Sequence, residues 1–542
     1  MSATPEPRES ASAMVTSGPA DPELDPTASY ALDPAYVRAL TSRIVATSGE
    51  TVTTSCPFNG QPLAMIPQSS AADVAEAFAR ARRAQEAWAA TPLEERAEKL
   101  LNLHDLILER QDEITDLICW ESGKSRKHAF DEPLHVAMTA RYYARTFERH
   151  LHSVRRIGVV PGLTQVEVHR VPKGVVGIIS PWNYPFTMAL SDGLPALMAG
   201  NAVVQKPDAQ TMLSALLGTR LLEEAGFPAD LWQIVAGPGR VLGSEIITRS
   251  NYICFTGSTA TGRVIGEQAG RNLIGCSLEL GGKNPMLILR DADVERAAEG
   301  AVRACFSSAG QLCVSMERLF VADQVYDKFV ERFVSRTKAL KLGAGLEWGT
   351  DLGSLISQQQ LDTVKAHVDD AVTKGARVLA GGSARPDIGP YFYEPTILEG
   401  VDPGMKCFGE ETFGPVVSLY RFHDEADAIA RANEGEYGLN ASIYTRDVKR
   451  GRTIARQIKC GTVNVNEAFA ATFGSLDAPM GGMRESGLGR RQGVEGIQRY
   501  TDPQAVAVQR LFRFSPVLGM KDETFAKVMT AQMRLMRKTK RP

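Results

Sequence analysis

The 542-residue chain predicts an α/β protein, with a doubly wound parallel sheet followed by a second α/β domain. Short apolar runs alternate with helical stretches between residues 174 and 255, the pattern of parallel strands joined by crossover helices. A second alternation of the same kind begins after Gly282. The length exceeds what one hydrophobic core supports, so two or three domains are expected.

Taken in order, residues 1–30 are rich in Pro, Ser, Ala and acidic groups and poor in large apolar ones, which predicts a disordered leader. Over 71–90, Val74, Phe78, Ala81 and Trp88 recur at helical spacing, with Asp73 and Glu76 early in the helix. Thr91-Pro92 reads as a cap and first-turn proline starting a helix that runs to about residue 118, and another is expected over 134–147. Residues 164–170 alternate as a strand does. Strands follow at 174–180, 202–205, 231–236 and 252–255, with helices near 189–199, 213–225 and 241–249 between them. Beyond Gly282, strands at 285–289 and 318–321 alternate with helices at 294–306 and 325–342, and the pattern continues through 376–380, 424–432, 441–444 and 461–464. Near the C-terminus Phe525, Val528, Met529, Met533 and Met536 share one helical face, ahead of Lys538, Lys540 and Arg541. A helix docked on its own subunit or a neighbour fits this better than one lying on a membrane.

Composition narrows the function classes. A formal charge of −2 gives no electrostatic reason to expect a nucleic-acid partner. Eight cysteines, unevenly spaced and without a CxxC pair, read neither as a disulfide framework nor as a zinc site; they fit a reducing cytoplasm, and no metal is expected. No secretory signal is visible, and no apolar run reaches the roughly 18 residues of a membrane span, so no membrane partner is expected.

Of these cysteines only Cys313 ends a small-residue run, Ser307-Ser308-Ala309-Gly310-Gln311-Leu312-Cys313, where a tight backbone could present a thiol in a cleft. An unperturbed thiol, with a pKa of about 8.5, is only a few per cent thiolate at neutrality, so a catalytic Cys313 needs partners elsewhere. Glu279 lies between Leu278 and Leu280 and before Gly281-Gly282, an apolar, closely packed setting that would raise its pKa towards that of a general base. Gly257-Ser258-Thr259-Ala260-Thr261-Gly262 follows a strand and opens a helix, a favourable place for an anion. Gly237-Pro238-Gly239 and Gly487-Leu488-Gly489 only imitate part of a G-x-G-x-x-G fingerprint, since their sixth positions are Leu242 and Gln492; both read better as tight turns. Taken singly, Glu279 reads as a strand-edge charge, Lys206 as a surface lysine, Asn183 as a turn cap and 410–415 as an ordinary loop.

Together the motifs say more. Pro181-Trp182-Asn183-Tyr184-Pro185, Lys206-Pro207, Phe255-Thr256-Gly257-Ser258, Glu279-Leu280-Gly281-Gly282-Lys283 and Gly310-Gln311-Leu312-Cys313 occur in an order and spacing that resembles the aldehyde dehydrogenase superfamily over roughly 45–512. Within it the chain looks most like the NADP-linked succinate-semialdehyde dehydrogenases. The resemblance implies a Rossmann-type dinucleotide-binding domain over 31–155 and 171–281 and a catalytic domain over 282–480. It also implies a small β oligomerisation arm from 156–170 and 495–512, in which 164–170 and 505–511 pair, with 513–542 as an amphipathic tail. A homodimer or homotetramer would follow.

The resemblance further makes Cys313 the nucleophile and Glu279 the base that activates water, with the Asn183 amide and the Cys313 N–H forming an oxyanion hole. Trp182, Lys206, Gly257, Ser258, Glu411 and Phe413 become cofactor-binding residues: Lys206 at the adenosine ribose, Ser258 at the pyrophosphate, and Glu411 and Phe413 at the nicotinamide ribose. Ala209 stands where many NAD-linked members carry a ribose-binding glutamate, which implies NADP in preference to NAD, although Asp208 is adjacent. Tyr184, Met188, Leu312, Phe469 and Met480 would line an apolar substrate funnel, with Asn466 near its mouth. Between Asn466 and Pro479 the chain is about three residues longer than in many relatives. The implied reaction is non-acylating oxidation of an aldehyde, succinate semialdehyde to succinate, through a thiohemiacetal and thioester. Ser191 and Ser307 stand where succinate-semialdehyde enzymes often place arginines, so apolar aliphatic or aromatic aldehydes are the alternative. A cofactor-independent cysteine thioesterase would explain Cys313 and Glu279 but not Lys206 or the doubly wound domain. An inactive binding protein would leave the Asn183, Glu279 and Cys313 set without a purpose, and CoA-acylating relatives generally lack the glutamate.

Overall fold

The computed structural model describes residues 32–159, 164–509, 515–517 and 519–537. The expected leader over 1–30, and Lys538, Lys540 and Arg541, lie outside the described residues. The chain divides into two units, one holding 32–150 and 172–500 and the other 151–171 and the residues after 500.

The first unit contains two largely parallel sheets. One is built from the strands Val175–Ile179, Ala202–Lys206, Trp232–Ile234, Tyr252–Thr256 and Gly275–Glu279, with Gly487–Leu488 added antiparallel at the edge beside Glu279. Across the sheet the order is 487–488, 275–279, 252–256, 175–179, 202–206, 232–234. The chain thus starts at the middle, winds to one edge, then returns to the other side of 175–179. That reversal opens a crevice at the carboxyl ends of the strands, where Trp182, Asn183, Lys206, Gly257 and Glu279 fall. Every residue of Ala202–Lys206 is buried, as a strand covered on both faces requires.

The second sheet runs 377–380, 396–399, 416–422, 316–322, 284–288, 440–444, 462–465, parallel throughout except for the edge strand Arg377–Ala380. Its central strands Asn284–Ile288 and Met316–Ala322 are wholly buried. Helices Val294–Phe306 and Asp323–Lys338 pack together beside it, with the Phe306 and Phe333 rings stacked at 5.9 Å.

Several expectations change. The helix expected from 91 to 118 is two, Leu93–Glu109 and Gln111–Ser122, because Arg110 leaves the helical region at φ −106°, ψ 22°. Thr91 closes the preceding helix Ala71–Ala90 instead of capping the next. The helix near 189–199 is also two, Pro185–Leu190 and Gly193–Met198. The hairpin Thr51–Ser55 with Pro62–Pro67 and the strands Gly275–Glu279, Thr396–Glu399 and Val416–Phe422 were not among the expected elements.

In the second unit, Thr164–Pro172 lies between Thr501–Gln509 and Val154–Ile157 in a three-stranded sheet. Residues 510 and 511 of the expected strand lie outside the described residues, and the helix Gly493–Gln498 belongs to the first unit, not to an arm starting at 495. A helix, Asp522–Met536, follows with no buried residue.

Candidate active site

Helix Val294–Phe306 delivers the chain into a single tight turn, Ser307–Gly310, just before Cys313. Ser308, Ala309 and Gly310 are all left-handed, at φ 52°, 54° and 72°. For the two residues with side chains this conformation costs about 1–3 kcal/mol each, so surrounding contacts must hold it. The Tyr184 hydroxyl meets Ser308 Oγ at 2.9 Å, and the Ser308 N–H donates to His128 Nδ1 at 3.2 Å. Asn183 Nδ2 donates to the Gln311 carbonyl at 3.1 Å, and Asn284 Nδ2 to the Cys313 and Ser315 carbonyls at 2.7 Å each. Gln311 itself accepts the Ile356 N–H at 3.0 Å. The backbone is fixed on both sides of the thiol, and Cys313 remains partly exposed.

Cys313 and Glu279 line one cavity of about 230 Å³ between the two sheets. Burial, then the neighbouring Glu279 and Glu411 carboxylates, push the thiol up to about 12. Burial likewise raises Glu279 to about 7, opposed by the Arg491 guanidinium. Glu279 Oε1 is buried without a hydrogen-bond partner among the described residues. A proton acceptor poised near neutrality therefore shares a cavity with a thiol that must lose its proton to react.

Trp182, Asn183, Gly257, Ser258, Glu411 and Phe413 line the same cavity. Trp182 and Phe413 meet edge to face, 5.5 Å apart. Glu317 holds the 411–413 turn by accepting the Thr412 N–H at 3.0 Å and the Phe413 N–H at 3.1 Å, while Gln360 donates to the Phe413 carbonyl at 2.9 Å. Glu411 accepts the Gly282 N–H at 2.7 Å. A Cβ on Gly281 would come within 2.5 Å of the Glu411 carboxylate, so the double glycine after Glu279 allows this close approach.

Ser258 caps the helix Thr259–Arg271 by accepting the Thr261 N–H at 3.3 Å, leaving a helix N-terminus at the cavity wall. Lys206 is not in that wall. It is buried at the end of its strand, its Nζ donating to the Pro207 carbonyl at 3.1 Å, and burial lowers its pKa. A buried ammonium with no carboxylate bonded to it among the described residues, and a helix N-terminus along the same crevice, suit an elongated ligand carrying ribose and phosphate. Asp208 accepts the Gln210 N–H at 3.0 Å, which turns its carboxylate onto its own backbone.

Tyr184, Met188, Leu312 and Met480 also line the cavity. Phe469 does not; it borders an adjoining cavity of about 150 Å³ that shares Tyr184, Leu312, Val314 and Phe473 with the first. Asn466 lines neither. Its amide is taken up by the Thr445 backbone, accepting the N–H at 3.0 Å and donating to the carbonyl at 2.8 Å, so it clasps two strand ends, and it borders a separate cavity with Arg303 and Glu467. The sequence reading missed Phe473, Gln360 and Arg491, which complete the wall.

A nucleotide-fitted crevice facing a half-buried thiol and a near-neutral carboxylate is the layout of a dinucleotide-dependent enzyme that works through a cysteine adduct. The sequence model of the aldehyde dehydrogenase family matches residues 44–506, and the chain belongs to that family. It is 50% identical over 481 residues to a Mycolicibacterium smegmatis protein named as a putative NADP(+) succinate-semialdehyde dehydrogenase, covering 89% of this chain and 93% of that one. It is 38% identical over 462 residues to the NADP(+) succinate-semialdehyde dehydrogenase GabD of Escherichia coli, covering 84% and 94%. The crystal structure of the Burkholderia pseudomallei succinate-semialdehyde dehydrogenase superposes with a TM-score of 0.83 at 34% identity, covering 86% and 96%.

Proposed function

We propose that the protein oxidises succinate semialdehyde to succinate with NADP, using Cys313 as nucleophile and Glu279 as base. The observation that carries this reading is the shared cavity: the partly exposed Cys313 thiol and the Glu279 carboxylate, whose Oε1 has no hydrogen-bond partner among the described residues, line the same space. Cys313 adds to the aldehyde carbonyl once its proton has passed to a base. The oxyanion is met by the Asn183 amide, which the Gln311 carbonyl orients, and by the Cys313 N–H; one such donor contributes about 3–4 kcal/mol. A bound nicotinamide dinucleotide supplies the acceptor for the hydride lost as the adduct becomes a thioester. Glu279 then takes a proton from water, which attacks the thioester carbonyl and frees the acid and the thiol.

Trp182, Lys206, Gly257, Ser258, Glu411 and Phe413 would hold the dinucleotide. NADP is favoured over NAD because Ala209 offers no carboxylate against a 2′-phosphate, Asp208 faces its own backbone, and both named relatives are NADP-linked. Apolar aldehydes are the second reading, favoured by the Tyr184, Met188, Leu312, Phe473 and Met480 walls. Comparison of kcat/KM for succinate semialdehyde, butanal and benzaldehyde with each cofactor tests both. Succinate semialdehyde with NADP should lead by at least tenfold, and equal values with butanal would refute the substrate assignment.

The second unit is read as an oligomerisation arm, and eight free thiols suit a cytoplasmic setting. No described helix is long and apolar enough to cross a membrane.

A further inference from the structure

Arg491 reaches the catalytic cavity from the far end of the chain. Its backbone is fixed against Met480, with the Met480 N–H donating to the Arg491 carbonyl at 2.8 Å and the Arg491 N–H returning a bond at 2.7 Å. Its guanidinium is buried and shares Asp192 with Arg499: Arg491 Nη2 meets Asp192 Oδ2 at 2.5 Å, Arg491 Nε meets Oδ1 at 3.3 Å, and Arg499 Nη2 meets Oδ1 at 2.7 Å. Two cations around Asp192 leave a surplus positive charge, which the Glu279 carboxylate offsets only when it is ionised. Burial works against the Asp192 carboxylate, yet the two guanidiniums hold its pKa down to about 2, so the group stays ionised and the surplus persists.

The third nitrogen of Arg491 differs from the other two. Nη1 has no oxygen partner among the described residues; its neighbour is the Met188 thioether, with Sδ at 3.2 Å, a weak acceptor. Met188 and Arg491 both line the cavity that contains Cys313. A buried guanidinium edge with weakly engaged hydrogens is costly unless an anion arrives to meet it. Ser191 lies in a small neighbouring cavity also bordered by Asp192, Arg491 and Arg499. The region around position 191 therefore carries cationic charge, although its own side chain is a hydroxyl.

We propose that Arg491 is the specificity residue for the substrate's remote anionic end, its Nη1 receiving the carboxylate of a short oxo-acid whose aldehyde carbon meets Cys313. This inference rests on the reading of the protein as a succinate-semialdehyde dehydrogenase. The chemistry it selects is a short aldehyde with a terminal carboxylate, held in an otherwise apolar cavity.

The test substitutes Arg491→Met and Arg491→Lys and compares succinate semialdehyde with butanal, an uncharged aldehyde of the same chain length. Arg491→Met leaves the Asp192–Arg499 pair intact, so no buried carboxylate is stranded. The expected result is a loss of about 100-fold in kcat/KM for succinate semialdehyde relative to butanal, mainly in KM, the ratio cancelling any change that loss of the guanidinium causes at Glu279. Arg491→Lys should recover part of the loss. A second readout uses the same preparations: succinate, but not butyrate, should slow alkylation of Cys313 by iodoacetamide, and the concentration needed should rise about 100-fold in Arg491→Met. If Arg491→Met does not fold, protection in Arg491→Lys against wild type decides the matter. Equal losses for both aldehydes would show Arg491 to be merely structural and overturn the proposal, as would a variant that keeps wild-type selectivity. A wild-type enzyme that does not prefer succinate semialdehyde over butanal would instead defeat the underlying substrate reading.

Discussion

At the scale of single residues the proposed chemistry rests on two groups, Cys313 and Glu279, whose proton affinities burial has raised. Cys313→Ala should abolish aldehyde oxidation, to below about 1% of wild-type turnover, while dinucleotide binding measured by fluorescence titration remains. Glu279→Gln should still give a pre-steady-state burst of reduced cofactor and then stall as thioester. Loss of the burst as well would move Glu279 to thiol activation. The pH profile follows from the same carboxylate. A base with a pKa of about 7 is active only when ionised, so steady-state turnover should fall as pH drops through 7, and Glu279→Gln should lose that limb. Much of this site was legible in the sequence. Cys313 ends a run of small residues that only a tight turn would need, and Glu279 sits between leucines and a double glycine. Arg491 was not legible, because Gly489-Arg490-Arg491 reads as a wet basic turn until Asp192, 299 residues away, is seen to pair with it.

At the scale of elements the turn Ser307–Gly310 and the strand end at Lys206 set geometry and cofactor choice. Gly310 has φ 72°, and a Cβ there would lie 2.0 Å from the Gly414 carbonyl oxygen. Gly310→Ala should therefore destabilise the fold by at least about 1–3 kcal/mol, visible as a lowered Tm, and should depress kcat more than KM because the Cys313 backbone shifts. For the cofactor, Ala209 opens the short turn Ala209–Thr211, with Asp208 committed to capping it. Ala209→Glu should reverse an NADP preference, by offering an acceptor to free ribose hydroxyls and repelling a 2′-phosphate. Steady-state kinetics with both cofactors would show it, and a wild type already preferring NAD would reject the argument. The strands that the sequence revealed contain continuous apolar runs, as in Tyr252–Thr256, which opens Tyr-Ile-Cys-Phe. Gly275–Glu279 escaped because it begins Gly-Cys-Ser, residues with little strand preference, and is buried only over its last three positions. The break at Arg110 escaped for the opposite reason: the apolar period continues across it, so pattern alone shows one helix.

At the scale of the whole molecule, the second unit carries a three-stranded sheet whose outer strands are largely exposed. Eight of the nine residues of Thr501–Gln509 are exposed, and Val506 and Val508, two apart in the strand, place apolar side chains on one face. Every residue of Val154–Ile157 is exposed too. A three-stranded sheet with so little burial gains almost nothing from the hydrophobic effect, and an edge strand is a surface to which another chain can add. Packing with a second copy would supply the missing cover. A homodimer or homotetramer is thus expected, with Thr501–Gln509 at the contact. The double variant Val506→Lys, Val508→Lys should leave the catalytic cavity untouched, since neither residue lines it. In analytical ultracentrifugation it should shift the protein towards the mass of one chain, by electrostatic repulsion between facing lysines and loss of apolar cover. Because the site is built within the first unit, its kcat should fall by no more than about threefold wherever the released monomer stays folded. A wild type that already sediments as a single chain would reject the arm. A variant that keeps the wild-type mass would place the contact elsewhere, with the exposed apolar face of Asp522–Met536 as the next surface to charge.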